Sequence, residues 1–167
     1  MTPAFPALAF VRDVGRYAVP GGERQTWFID AEDFATCTSW ALKHGERLGM
    51  VVVGRDLRCC KVVGVVDLGV VGPVWERVLR FLVRQSLHRI DQEIVEIEPV
   101  TLEQVKARLA ASIFANPDDW RDDEAIAGEA GPPRDEQELL DEIVAGVLAA
   151  ASLMQIINTR HGEELEG

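Results

Sequence analysis

The chain has 167 residues, 47% hydrophobic and 27% charged, the size and make-up of an ordinary globular domain with its own apolar core. No run approaches the roughly 18 to 20 uncharged apolar residues that span a bilayer. The opening Met1-Thr-Pro-Ala-Phe-Pro6 holds two prolines and no basic cluster, unlike a secretory signal. Cys37, Cys59 and Cys60 do not make a disulfide framework, so a reducing cytoplasm is expected.

The net charge of −11 is concentrated late in the chain. Residues 1–117 balance 14 Lys and Arg against 14 Asp and Glu, whereas residues 118–142 set 11 acids against Arg121 and Arg134. Such a block repels nucleic acid and anionic membrane surfaces and attracts basic partners or cations. Arginine outnumbers lysine 14 to 3 beside 18 alanines and 20 valines, a bias that points to a GC-rich bacterial genome.

Taken in order, Leu8-Ala-Phe-Val11 and Tyr17-Ala-Val19 predict short strands, ended by Pro20-Gly21-Gly22. Gln25 to Ile29 predicts another strand. Asp30 is a good N-cap, with Glu32 and Asp33 in the first turn, for a helix from Ala31 to about Leu48 that Gly49 ends. Met50 to Val53 and Leu57 to Val66 predict a hairpin turned at Gly54-Arg55-Asp56. Gly72-Pro73 opens a second helix, with Trp75, Val78, Leu79, Leu82 and Leu87 on one face. A strand follows from Glu93 to Val100. Thr101-x-x-Gln104 is a capping box that starts a third helix, stopped at Asn116-Pro117.

Residues 117–134 make a long acidic loop, and a fourth helix is expected from Asp135 to about Thr159. From Ile143 to Ile157 that helix has no charge, which predicts burial of Val144, Val147, Leu148 and Ile157, with Ala145, Gly146 and Ala149 allowing close approach. The fold class expected is α+β: one domain over residues 1–160, with a mixed or antiparallel sheet of four or five strands and about four helices. Residues 161–167 are expected to be a flexible tail.

Chemical motifs are sparse. Gly64-Val-Val-Asp-Leu-Gly69 has a P-loop-like glycine gap, but Val70-Val71 replace the Lys-Ser/Thr that reaches phosphate and magnesium. These glycines, with Gly72, are better taken as strand-to-helix turns. Cys37 and His44, seven residues apart on one predicted helix, would be about 10 Å apart and cannot form a nucleophile–base pair. Cys59 and Cys60 point to opposite sides of a strand, and all three cysteines are expected to behave as small buried hydrophobes. His44, His88 and His161 fall at predicted helix ends, where the dipole favours imidazolium. No paired Cys or His spacing for zinc exists, and no cofactor or metal is expected.

Arg77, Arg80 and Arg84 form a basic stripe, followed by Arg89. Without aromatic interleaving or a basic domain they suit pairing with Glu93, Glu96 or Glu98, or with the chain's own acidic loop, better than nucleic acid. The segment Asp118-Asp119-Trp120-Arg121-Asp122-Asp123-Glu124 fails as a calcium loop, because Trp120 and Arg121 stand where oxygen ligands should alternate. Its composition fits partner binding through Asp118, Asp119, Trp120, Asp122, Asp123 and Glu124, a tryptophan anchor inside carboxylates that complement a basic protein. The plainer alternative is a solvated acidic loop whose tryptophan tucks into its own core.

The function expected from these features is an acidic, non-enzymatic binding domain of the inhibitor or immunity-protein class, with a basic protein partner and no nucleic acid or membrane. A metal-dependent hydrolase using the 118–124 carboxylates and an oligomeric module joined through helix 143–157 are the alternatives.

Overall fold

A computed structural model describes residues 2–11, 25–72, 86–115, 117, 120 and 135–161. The chain divides into two units, Met1–Pro99 and Val100–Gly167. Together they make an α+β protein.

The first unit is a six-stranded, wholly antiparallel sheet, where four or five strands were expected. Its strands are β1 (Ala7–Val11), β2 (Gln25–Ile29), β3 (Thr36–Thr38), β4 (Val51–Gly54), β5 (Cys59–Val70) and β6 (Leu87–Ile97), in the order β2-β1-β4-β5-β6-β3. Every residue of β1 and of β4 is buried. Strands covered on both faces need apolar side chains at every position, and these two segments are the continuous apolar runs of the sequence. Ala7, Ala9, Val11, Ile29, Met50, Val52, Cys60 and Val62 form one core cluster, with Phe5, Trp27, Phe34, Val65 and Ile94 packed against it.

The helix expected over residues 31–48 is broken. Helix α1 (Ala31–Ala35) starts at the predicted cap: Asp30 accepts from the Asp33 amide at 2.8 Å, and Asp33 accepts from the Asp30 amide. The chain then turns extended at Thr36, and β3 pairs with β6. Thr38 caps a second short helix, α2 (Ser39–His44), which Gly45 ends in the left-handed conformation at φ 65°. The β-branched Thr36 and Thr38 prefer the extended form, and edge pairing with β6 outweighs the helical apolar spacing around them.

The predicted hairpin is present as β4 and β5, but β5 runs on to Val70. Glycines expected in strand-to-helix turns lie inside it: register shifts between Val62 and Gly64 and between Asp67 and Gly69 make two bulges. Strand β6 begins at Leu87, not Glu93, so Leu87 and His88 belong to a strand rather than to the preceding helix and its end. Residues 12–24 and 73–85, which carry the predicted second strand, the helix after Pro73 and the Arg77–Arg84 stripe, lie outside the described residues. Of the remaining basic residues on this sheet, Arg58 rather than Arg89 pairs with Glu96, at 2.7 Å. Both partners are about half exposed, so solvent screens the pair and it adds little to stability.

Among the described residues the second unit holds three helices: α3 (Leu102–Ala115), α4 (Glu136–Ala149) and α5 (Leu153–His161). With α1 and α2 they bring the described helices to five. The capping box at Thr101 and Gln104 forms in both directions, at 3.2 and 2.8 Å. Helix α3 buries Val105, Leu109 and Ile113 at four-residue spacing and packs on α4. Lys106 buries its stem and brings its ammonium to Glu103 at 3.0 Å.

Asp135, where the helix is expected to start, caps α4 through the amides of Gln137 and Glu138. The single helix expected to reach Thr159 instead breaks at residues 150–152. Ala150 is extended, Ser152 Oγ accepts from the Gln155 amide, and Gln155 accepts from the Ala151 amide. Ser152-x-x-Gln155 repeats the spacing of the Thr101 box and is the sequence signal for this new start. Val144, Val147 and Ile157 are buried as expected; Leu148 is 51% exposed, so the uncharged stretch is not apolar-buried on every side.

Candidate functional site

The richest polar constellation among the described residues lies across the β5–β6 ribbon. The second bulge of β5 is built from Asp67-Leu68-Gly69: the Asp67 Oδ1 accepts from the Gly69 amide at 2.8 Å, and Gly69 sits at φ 107°, where an L side chain is strained. That turn fixes the Asp67 carboxylate. In register Asp67 opposes Ile90 and Val70 opposes His88, so Asp67 and His88 are diagonal neighbours on one face of the ribbon. Both carboxylate oxygens lie 3.0 Å from His88 Nδ1. On the other side of the ring, Nε2 is 2.8 Å from the hydroxyl of Ser86, two residues back on the same face.

Proton positions follow from the partners. The Gly69 amide first, and His88 second, hold the Asp67 carboxyl below the ordinary carboxylate range. At neutral pH Asp67 is therefore ionised and can only accept, so Nδ1 carries the ring proton. With a single ring proton, held on Nδ1, Nε2 is an acceptor and the Ser86 hydroxyl donates to it. Because the folded value is depressed, this contribution to the native state is present above the unfolded pKa of an aspartate and is lost as pH falls through the folded one.

Ser86 is held independently of its side chain. Its carbonyl accepts from the Ser39 amide at 2.8 Å, and its amide donates to Ser39 Oγ at 3.2 Å. Ser39 opens α2, and Trp40 beside it is 41% exposed with its ring 4.5 Å from that of His44. His44 and His161 do lie in the last turns of α2 and α5. Ser86 and Ser39 are partly exposed, whereas the His88 side chain is 15% exposed.

Cys37 lies opposite His88 in the β3–β6 register and packs with Ala41 and Ile90. Burial, against an opposing pull from Arg47, raises its pKa, so the thiol stays protonated at neutral pH. All three cysteines are buried thiols outside any disulfide, and Cys60 is pushed up to about 11 by burial above all. Native protein at pH 8 should accordingly resist iodoacetamide, with Cys60 modified only after unfolding in guanidinium. Rapid stoichiometric labelling of native Cys60, read by peptide mass, would contradict its burial.

A second polar feature was not legible in the sequence. Arg47, in the turn after α2, is 8% exposed. Its Nη2 donates to the main-chain carbonyls of Asp33 at 3.2 Å and Thr36 at 3.1 Å, and its Cζ lies 5.1 Å from the Trp27 ring centre. Gln92 on β6 donates to the Phe34 carbonyl beside them. Together these groups satisfy the carbonyls where α1 ends and β3 begins.

Of the contact residues expected at 118–124, Trp120 alone is among the described residues. It is 8% exposed and its amide donates to the Pro117 carbonyl at 2.9 Å. Asp118, Asp119, Asp122, Asp123 and Glu124 lie outside them. Among the described residues no group of three or more His, Cys, Asp or Glu could hold a metal ion, and no helix is long and apolar enough to cross a membrane. In comparisons with known proteins, no family model, curated sequence or solved structure matches this chain.

Proposed function

We propose that this chain is an acidic protein-binding domain of the cytoplasm that engages a basic partner, in the manner of an inhibitor or immunity-type protein. The observation that carries the reading is the placing of 11 acids against two arginines in residues 118–142. The acidic run continues onto α4, where Asp135, Glu138, Asp141 and Glu142 are exposed at helical spacing. Charge gathered in this way accelerates encounter with an oppositely charged protein and repels nucleic acid and anionic lipid. Because Trp120 is buried, it offers little surface of its own, and the contact rests on the carboxylates around it.

The test is a pull-down from the source cell followed by binding kinetics at two ionic strengths. Asp122→Lys together with Asp123→Lys should slow association about tenfold at low salt, with less effect on dissociation. The wild-type rate should fall as salt rises. A partner that binds with no salt dependence and is indifferent to these reversals would end the proposal.

Exposed Leu148, with exposed Ala145 and Ala149 on the same side of α4, favours self-association through that helix as a second reading. A dimeric solution mass that Leu148→Glu converts to a monomer would select it.

A further inference from the structure

We propose that Ser86 is an acyl-accepting nucleophile, with His88 its general base, Asp67 the group that orients the imidazole, and the Ser39 hydroxyl a donor to the developing oxyanion. The proposal rests on geometry: Ser86 Oγ to His88 Nε2 is 2.8 Å and His88 Nδ1 to Asp67 is 3.0 Å. That is the order of nucleophile, base and orienter that activates a hydroxyl for covalent catalysis. The Ser86–His88 bond joins residues two apart in the chain, at the start of β6, so it links no separate elements. The Ser86 backbone is already tied to Ser39 without it. What the bond does is draw the hydroxyl proton toward a nitrogen that can take it.

Ser39 Oγ accepts from the Ser86 amide, which leaves its own proton to donate. A hydroxyl anchored beside the nucleophile can serve an oxyanion as side-chain donors do in acyl transfer. The substrate class is a small carboxylic ester or thioester with a good leaving group. A phosphoester fits poorly, since its charge would face Asp67 and phosphoryl transfer needs cationic clamps.

In the first step Ser86 Oγ bonds to the carbonyl carbon while its proton passes to His88 Nε2, and the carbonyl π pair moves onto oxygen. Collapse breaks the bond to the leaving group, which takes the proton from Nε2 and departs as alcohol or thiol. Water then attacks the acyl–Ser86 ester with one proton passing to Nε2; collapse breaks the acyl–Oγ bond, Ser86 Oγ takes that proton back, and a carboxylic acid leaves.

The experiment treats the full chain with a fluorophosphonate probe and with p-nitrophenyl acetate, and locates the adduct by peptide mass. Ser86 should be labelled, and Ser86→Ala should remove that adduct. His88→Gln and Asp67→Asn should each slow labelling about a hundredfold or more. Ser39→Ala should slow it less, with the adduct still on Ser86. Unfolding midpoints would verify that each variant is folded. A role in activation, unlike a structural tie, also predicts a labelling rate that depends on pH in the wild type and loses that dependence in His88→Gln. Absence of a Ser86 adduct on folded protein, or labelling at an unchanged rate in both folded His88→Gln and Asp67→Asn, would overturn the proposal. The outcome is independent of partner binding through residues 118–142.

Discussion

Phe10→Ala should lower the unfolding free energy of the sheet unit by about 3–5 kcal/mol, the range for removing a phenyl ring from a closed core. Phe10 is 1% exposed, the fourth residue of a five-residue strand with no exposed position. It stands opposite Thr26 on β2 and Val51 on β4, so the missing ring leaves a void on that face of β1. Pairing on both sides of β1 restrains the backbone from closing that void, which places the effect toward the upper end. Domains of this size have about 5–15 kcal/mol of stability, and the variant would approach the margin of folding. Urea unfolding should show a lower midpoint with an unchanged slope. Val66→Ala on β5, where the native side chain is 58% exposed, is the control and should shift the midpoint little. Equal shifts in the two variants would mean that Phe10 is not enclosed as described.

Arg47→Ala should cost about 3 kcal/mol. Burial lowers the Arg47 pKa, the nearby Cys37, Glu46 and Asp33 oppose that fall, and an arginine so far above neutrality keeps its charge. Its hydrogen-bond acceptors are the carbonyls of Asp33 and Thr36, with Met50 Sδ at 3.7 Å from Nη1. Deleting the side chain leaves two carbonyls without their donor, each a desolvation penalty of about 1–3 kcal/mol, and uncovers the Trp27 ring. Arg47→Lys should recover part of the loss, because one ammonium cannot reproduce the planar fork. Arg47→Met keeps the volume without donors and should rank between alanine and lysine. The order wild type, lysine, methionine, alanine in thermal midpoint is the expected result. Methionine matching wild type would show that the guanidinium hydrogen bonds contribute nothing net.

The physical signals read from sequence were local ones, and several describe the protein well. Asp30, Thr101 and Asp135 cap helices because a short acceptor side chain next to unsatisfied amides needs nothing distant. The runs Ala7–Val11 and Val51–Gly54 are strands because continuous apolar β-formers between turn residues have few other places to go. Misreadings arose where two local patterns competed. Thr36 and Thr38 sit in a stretch with helical apolar spacing, and only pairing with β6 makes it a strand. Ser152-x-x-Gln155 lies within an uncharged, alanine-rich stretch that otherwise resembles one continuous helix, and the cap prevails because it satisfies amides that the break exposes.

By itself the sequence determined the α+β class, the cap positions, the burial of the cysteines and the concentration of acid in residues 118–142. These depend on side-chain chemistry and short-range periodicity alone. The tertiary structure decided the rest. Asp67 and His88 are 21 residues apart and meet only because the β5–β6 register, shifted by a bulge, makes them diagonal neighbours. Ser39 and Ser86 are 47 residues apart and are joined where α2 follows the β3 edge. Arg47 reaches carbonyls 14 and 11 residues behind it because a broken helix turns their oxygens inward. Such contacts are set by strand pairing between distant segments, and register is a property of the assembled sheet that no local window of sequence contains.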